Sequence, residues 1–411
     1  MIILSHPTAN QNVRQTALAL AEGELLREFW TCLNWKQQGF LDRCFSFSER
    51  IQNELRRRSF PPGVAPFVRT SSSLREWGRL ISGQLGISLL AKHEKGPFSI
   101  DVIYRSLDRK VASRLSQVGD VRAVWAYDDG ALESFRAAKK LGLRCIYDHP
   151  TAYFGKVRQL QAEEALLSPE WACTLSSLGD SAEKLQRKDQ ELAMADAIVV
   201  ASTFSKQTLI ASGNLKQKVE VVPYGAPPVR ERTNNRDAGS KLRVLFVGAL
   251  GQAKGISYLL EAVSRLERHL ELTLIGRRVS PVMPPPEVLK RYHWLPSLPH
   301  DELLEEMSRH DVLVFPSLHE GFGLVITEAM AQGLVVITTP NTAGPDLISD
   351  GIDGFIVPIR SASAIEEKLD FLRSDAKVLA GMKEAARQKT KARQWETYRR
   401  QIASVARAVM G

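Results

Sequence analysis

Two carboxylates eight residues apart, Glu320 and Glu328, interrupt the otherwise apolar stretch 316–333. Phe322, Val325, Ile326, Ala329 and Met330 recur at helical spacing, which predicts a helix from about residue 322 with one buried face, fed by a strand over 311–315. Gly321 and Gly323 leave backbone N–H groups uncovered at the positive end of that helix, an arrangement suited to a phosphate. At ~1.5 Å of rise per residue, Glu328 lies roughly 10 Å further along, comparable to the span from a diphosphate to a nucleoside ribose. The stretch reads as a nucleotide-sugar site. The competing reading makes Glu320 a helix cap and Glu328 a solvent-facing residue.

Other residues sit where chemistry is done in sheet proteins. Gly248 to Gly255 is a glycine-rich turn between a strand and a helix, and Lys254 places a cation at that helix start. The turn has neither the Walker spacing nor a dinucleotide fingerprint. Arg277 and Arg278, after the next strand, offer phosphate contacts or an exposed basic loop. In the first half, His6, Asn10 and Asn12 follow a short strand, so they either hold a hydroxyl-rich substrate, as acceptor-side candidates together with His149, or cap the next helix. His149 ends another strand, placed to touch a sugar hydroxyl or carry a proton. Asp128 and Asp129 are adjacent but lack the Asp-x-Asp spacing of a metal pair, and helix capping is the expected role.

The elements that must position these residues alternate between strand and helix. Strands are expected at 2–5, 100–104, 123–127, 144–147, 197–200 and 219–222, then at 242–247, 270–275, 311–315 and 334–338. Helices are expected at 13–27, 105–116, 130–141, 154–166, 180–194, 203–211, 256–266 and 300–309, and three more over 361–409. Such alternation predicts doubly wound parallel sheets. A chain of 411 residues exceeds one ordinary core. The expected division is a first domain over 1–225, a Pro/Gly/Asn-rich linker over 226–240, a second domain over 241–388 and a final helix over 389–411. Residues 39–98 read as an insertion.

No run of about 18 apolar residues predicts a membrane span, and the N-terminus lacks the basic and apolar regions of a secretory signal. A cytoplasmic location is expected. The four scattered cysteines fit reduced structural thiols. Of the net charge of +9, residues 1–115 contribute +7, with 17 Lys/Arg against 10 Asp/Glu. Eight Arg and three Glu lie over 43–79, interleaved with Phe60, Phe67 and Trp77. That stretch suggests peripheral contact with anionic lipid, an anionic or lipid-linked acceptor, or simply a solvated surface. Nucleic-acid binding is not expected, because no recognised module accompanies the charge.

Three groups of residues in order, Gly248…Lys254-Gly255, then Pro316-Ser317-x-x-Glu320-Gly321-Phe322-Gly323 through Glu328-Ala329-x-Ala331-x-Gly333, then Gly351-x-x-Gly354, resemble the glycosyl transferases group 1 family (glycosyltransferase family 4). The stretches 195–202 and 222–225 resemble it too. The resemblance implies a GT-B fold, two Rossmann-like domains facing across a cleft with the last helix crossing back. It implies transfer of a sugar from a nucleotide diphosphate sugar to an acceptor hydroxyl, with retention of configuration and no metal or other cofactor. Carried over, Glu320 contacts sugar hydroxyls, Glu328 the ribose, and the amides of Gly321 to Leu324 the sugar and diphosphate. Lys254 pairs with the departing diphosphate beside Gly248, and His149 joins Lys254 and Glu320 as a catalytic candidate. Ala249 stands where the family has Arg, with Arg277 or Arg278 as the substitute. That departure keeps open a non-catalytic nucleotide-sugar-binding relative; a GT-B epimerase or phosphorylase is the other alternative.

Overall fold

The computed structural model describes residues 1–35, 55, 58–84, 87–213, 215–231 and 240–411. Among them, β1 (Ile2–Ser5), β2 (Leu26–Thr31), β3 (Val68–Thr70), β4 (Ala123–Tyr127), β5 (Arg144–His149), β6 (Ala197–Val200) and β7 (Lys218–Val221) form one sheet. A second holds β8 (Leu242–Val247), β9 (Leu270–Ile275), β10 (His293–Leu295), β11 (Val312–Phe315), β12 (Val335–Thr338) and β13 (Gly354–Ile356). The orders are β3-β2-β1-β4-β5-β6-β7 and β10-β9-β8-β11-β12-β13, and every pairing is parallel. Helices cover both faces, so central strands such as β1, β4, β11 and β12 are buried along their whole length. Strand order reverses at β1/β4 and at β8/β11, the places where doubly wound sheets bind ligands. The architecture is GT-B, as expected.

Several local expectations change. Residues 100–104 open the helix Ile100–Leu115 instead of forming a strand. Ser99 caps it by accepting from the Val102 amide at 3.3 Å, and Ile103, Leu107, Val111 and Leu115 make its buried face. The first helix, Gln11–Glu22, stops at Gly23, and Leu26–Thr31 pairs between β1 and β3. The helix bearing Glu328 is Leu324–Ala331, and Val325 to Ala331 are all buried, so it has no solvent face. It is wedged between β12 and the helix Ala376–Lys391.

The two domains interlock. The last helix, Trp395–Met410, lies on Gln11–Glu22, where Tyr398 OH and Thr16 Oγ1 are 2.8 Å apart and Arg399 reaches Glu22 and Gln15, both at 2.9 Å. In the other direction, the connection from β5 to β6 carries the helix Phe154–Leu167 and two 3-10 turns, Pro169–Thr174 and Ser176–Gly179. Its Trp171 is buried in the second core with Leu242, Phe246 and Leu274. The linker expected over 226–240 lies partly outside the described residues, as do the insertion 39–98 and the basic stretch 43–79. Within the described part of that stretch, Arg58 and Arg79 both turn inward onto the fully buried Glu76, at 2.7 and 2.6 Å. Cys44 is also outside the described residues; Cys32, Cys145 and Cys173 are free thiols. No described helix is long and apolar enough to cross a membrane.

Candidate active site

The strand ends of the two sheets face each other across a cleft of about 390 Å³. On the second domain's side, the chain leaves β8 through Gly248 (φ 152°) and enters the next helix through Gly255 (φ 68°), backbone conformations that L side chains rarely adopt. A Cβ on Gly255 would stand 2.1 Å from the Pro316 carbonyl oxygen. This close packing fixes the single 3-10 turn Gln252–Lys254 and directs Lys254 into the cleft. Its ammonium forms an ion pair with Glu320 and lies 5.5 Å from the Phe315 ring centroid. The same Glu320 oxygen accepts from Ser317 Oγ at 2.9 Å, and the Glu320 amide donates to the Asn341 carbonyl at 2.8 Å.

Gly321 is where the domains touch. A Cβ there would fall 1.7 Å from the Pro150 carbonyl oxygen. Its own carbonyl accepts from Ser202 Oγ at 2.6 Å and Ser205 Oγ at 3.1 Å, from the start of the helix Thr203–Ile210. Gly323 (φ 88°) begins the helix Leu324–Ala331, whose N-terminus opens onto the cleft with Gly321, Phe322, Gly323, Leu324 and Val325 in its lining.

Across the cleft stand His6, Asn10 and Asn12 of the loop and helix start after β1. His6 Nδ1 accepts the amides of Ala9 (2.9 Å) and Thr8 (3.2 Å), which leaves the proton on Nε2. Burial pushes its pKa down to about 3, so the ring is a neutral donor. Asn10 precedes the helix Gln11–Glu22 but makes no side-chain cap bond, and Asn12 Nδ2 donates to Tyr224 OH at 3.1 Å. Tyr224 in turn lies 5.0 Å from the Phe322 ring, joining the two halves.

Other sequence candidates lie outside this cleft. His149 is buried at the end of β5, stacked on Tyr147 at 5.9 Å, with Nδ1 3.8 Å from Asp128 Oδ1. Burial, helped by the nearby Lys188 charge, lowers its pKa against the pull of Asp128, and neither ring nitrogen makes a well-formed hydrogen bond. The following residues, Pro150 and Thr151, do line the cleft. Glu328 is buried, is not in the cleft lining, and is bonded to His300 Nε2 at 2.9 Å, a contact that raises the His300 pKa. Arg277 is exposed, and Arg278 is spent on the carbonyls of Pro281 and Pro284 at 2.6 and 3.0 Å; neither lines the cleft.

Asp128 and Asp129 do not cap the helix that follows them. Asp128 takes Tyr147 OH (2.6 Å) and Lys188 (3.1 Å), Asp129 takes Arg187 (2.8 Å), and the capping falls to Glu191, which accepts the amides of Asp129, Ala131 and Leu132. A carboxylate brought from a distant helix outcompetes the local pair, which the basic face of that helix neutralises. Among the described residues, His93, Glu94 and Asp180 could together hold a metal ion, but Lys184 lies 3.1 Å from Asp180. Sequence reasoning missed Tyr224, Ser317, His300 and the Ser202/Ser205 pair. Tyr224, Ser317 and Ser202 do lie in stretches that carry the resemblance, and Ser202 is also the N-cap of its helix, but nothing local gave them a place at the site.

Facing parallel sheets, with a helix start suited to an anion and a Lys–Glu pair between them, define a two-domain GT-B architecture with one cleft between the sheets. Residues 230–389 match the family model Glycosyl transferases group 1, so the resemblance carried by the motifs holds over that stretch. A curated relative, the amylovoran biosynthesis glycosyltransferase AmsK of Erwinia amylovora, is 26% identical over 188 residues, 42% of this chain and 46% of that protein. The matches span about half the length of such relatives. Among solved structures, sucrose-phosphate synthase from Thermosynechococcus elongatus has a TM-score of 0.68 at 17% identity, covering 99% of this chain and 98% of that one. Anabaena Alr3699/HepE in complex with UDP-glucose has a TM-score of 0.63 at 15% identity, covering 99% of each chain.

Proposed function

We propose that the protein transfers a sugar from a nucleotide diphosphate sugar to an acceptor hydroxyl, with retention of configuration and without a metal. The observation that carries this reading is the convergence of Lys254, Glu320 and the start of the helix Leu324–Ala331 on one cleft that also receives the β1 loop. As the bond from the anomeric carbon to the diphosphate breaks, the electron pair leaves with the phosphate oxygen. Lys254 and the helix N-terminus stabilise that charge as it grows. The acceptor oxygen bonds to the same face of the carbon, and its proton passes to the departing phosphate. Glu320 is committed to Lys254 and Ser317, which suits it to holding sugar hydroxyls better than to attacking carbon. Neutral His6, Asn10 and Asn12 offer hydrogen bonds to the transferred sugar. Glu328, oriented by His300, awaits the ribose.

The relative crystallised with UDP-glucose makes that compound the first donor to test, beside GDP- and ADP-glucose. Binding raises the melting temperature in proportion to ln(1 + [L]/Kd). One of the three is expected to raise it and to give product with the donor's anomeric configuration by NMR. An inverted product would overturn the mechanism; no shift with any nucleotide sugar would overturn the donor site. Ala249 favours the second reading, a non-catalytic relative, whose mark is binding with no turnover to water or any acceptor.

A further inference from the structure

The first domain carries an apolar face that its own core does not use. On the helix Ser73–Gln84, Leu74, Gly78 and Ile81 recur at i, i+4 and i+7 and so share one side. Phe98 packs on the middle of that side, where a Cβ on Gly78 would stand 2.6 Å from its ring. Leu74 and Ile81, on either side of Gly78, remain 85% and 53% exposed. The 3-10 turn Ser88–Ala91 packs on the same helix, and Phe98 closes it by donating its amide to the Leu90 carbonyl at 2.9 Å. Leu89 of that turn is 77% exposed. Single exposed leucines are ordinary, but large apolar side chains displayed together on two packed elements mark an interaction surface.

The face is held in place from behind. Ser73 Oγ donates to the Cys32 carbonyl at 2.8 Å, and on the inner side of the helix Glu76 is clamped by Arg58 and Arg79. Glu94, in the loop that leads to Phe98, accepts from the amide and hydroxyl of Ser181 at 2.8 and 2.5 Å.

These same contacts sort the charges. Residues 68–101 contain three carboxylates: Glu76 and Asp101 are buried, Asp101 against Lys184 at 2.9 Å, and Glu94 is committed to Ser181. Arg69, Arg75, Lys92 and Lys95 are all exposed. The outer surface of this segment is therefore apolar side chains among cations, with every carboxylate drawn inward. Composition alone pointed to 43–79 as the basic stretch, yet Lys92 and Lys95 lie beyond it, and Arg58 and Arg79 within it face the interior.

That combination selects the partner. A second copy of the chain docked about a two-fold axis would bring the same cations against each other, with no exposed carboxylate of the segment to meet them. A polyanion such as nucleic acid satisfies the cations and leaves the leucines in water. An anionic bilayer satisfies both, because its headgroups attract Lys and Arg while apolar side chains enter the boundary of the acyl region.

We propose that the face built on Leu74, Ile81 and Leu89 and rimmed by Arg75, Lys92 and Lys95 docks the protein peripherally on an anionic lipid surface. The inference is independent of the reaction performed in the cleft.

The test is co-sedimentation of the full-length protein with vesicles of phosphatidylcholine alone or mixed with phosphatidylglycerol. Binding to the mixed vesicles is expected, with little to phosphatidylcholine alone and a loss as salt is raised. Lys92→Gln with Lys95→Gln should weaken it by about 30-fold, from ~1 kcal/mol per basic residue at the surface. Leu74→Ser with Leu89→Ser should weaken it by at least about 10-fold through lost apolar burial. All four positions are exposed, and an unchanged melting temperature shows that each variant is folded. The inference is overturned by no binding to either vesicle, by equal binding to both, or by two variants that bind like wild type. Sedimentation velocity provides the remaining check: a wild-type dimer that the leucine variant dissolves would make the face a self-interface and overturn the lipid assignment.

Discussion

Lys254 and Glu320 neutralise each other on the floor of the cleft, each less than one-third exposed. In the proposed reaction a diphosphate offers Lys254 a second, doubly charged partner, so donor binding would exchange one ion pair for another and free the Glu320 oxygens for sugar hydroxyls. The two halves of the pair then have opposite effects on nucleotide affinity. Lys254→Ala should weaken UDP or the preferred nucleoside diphosphate by about 10- to 100-fold, the ~1.5–3 kcal/mol of a charge-assisted contact. Glu320→Gln releases Lys254 and should bind the same nucleoside diphosphate at least as tightly as wild type, while sugar transfer falls by about 100-fold or more, as for loss of a group that acts in the transition state. Calorimetry with the nucleoside diphosphate and initial rates with its sugar separate the effects. Weaker nucleotide binding in Glu320→Gln would show that the pair does not compete with the ligand.

At the scale of elements, the second domain was the more legible. Its parallel strands β8, β9 and β11 are largely apolar runs closed by Gly or Pro-Ser, and the turns that line the cleft follow β8 and β11 directly. The positions of Gly248, Lys254, Glu320 and Gly321 in the cleft needed only that order. Elements defined by partners far along the chain were not legible. Three-residue strands such as β3 and β10 have too little pattern of their own, and Ile100 to Tyr104 is β-rich in composition yet helical because Ser99 caps it and Leu107 and Val111 continue its buried face. Trp171 is the clearest case. It sits in a polar, irregular stretch between β5 and β6, and only the fold reveals that its ring fills the core of the other domain. Trp171→Ala should destabilise the protein by about 3–5 kcal/mol, the usual cost of truncating a buried Trp, and the loss should appear as earlier melting of the second domain. Urea unfolding with an unchanged midpoint would mean that the Trp171 contact is not maintained in solution.

For the whole molecule, the decisive question is how the two domains move. Besides the chain crossings, Glu164 of the first domain is fully buried and accepts from three second-domain groups: Gln252 Nε2 (2.6 Å), Tyr258 OH (2.7 Å) and Arg360 Nε (2.8 Å). Thr203 donates its amide to Asp346 at 2.8 Å, while Ser202 and Ser205 hold Gly321. A hinge opening would strand a buried carboxylate and expose an indole, losses that no single new contact replaces. The segment 154–179 should therefore travel with the second domain or not move at all. Small-angle scattering should show no detectable compaction of the wild type on addition of the stabilising nucleotide sugar. Glu164→Ala removes the shared acceptor; it should enlarge the radius of gyration, and saturating nucleotide sugar should restore part of the compaction at the cost of weaker apparent affinity, because only the closed fraction binds. A wild type that closes markedly on binding would instead place the Glu164 contacts among those formed only with substrate.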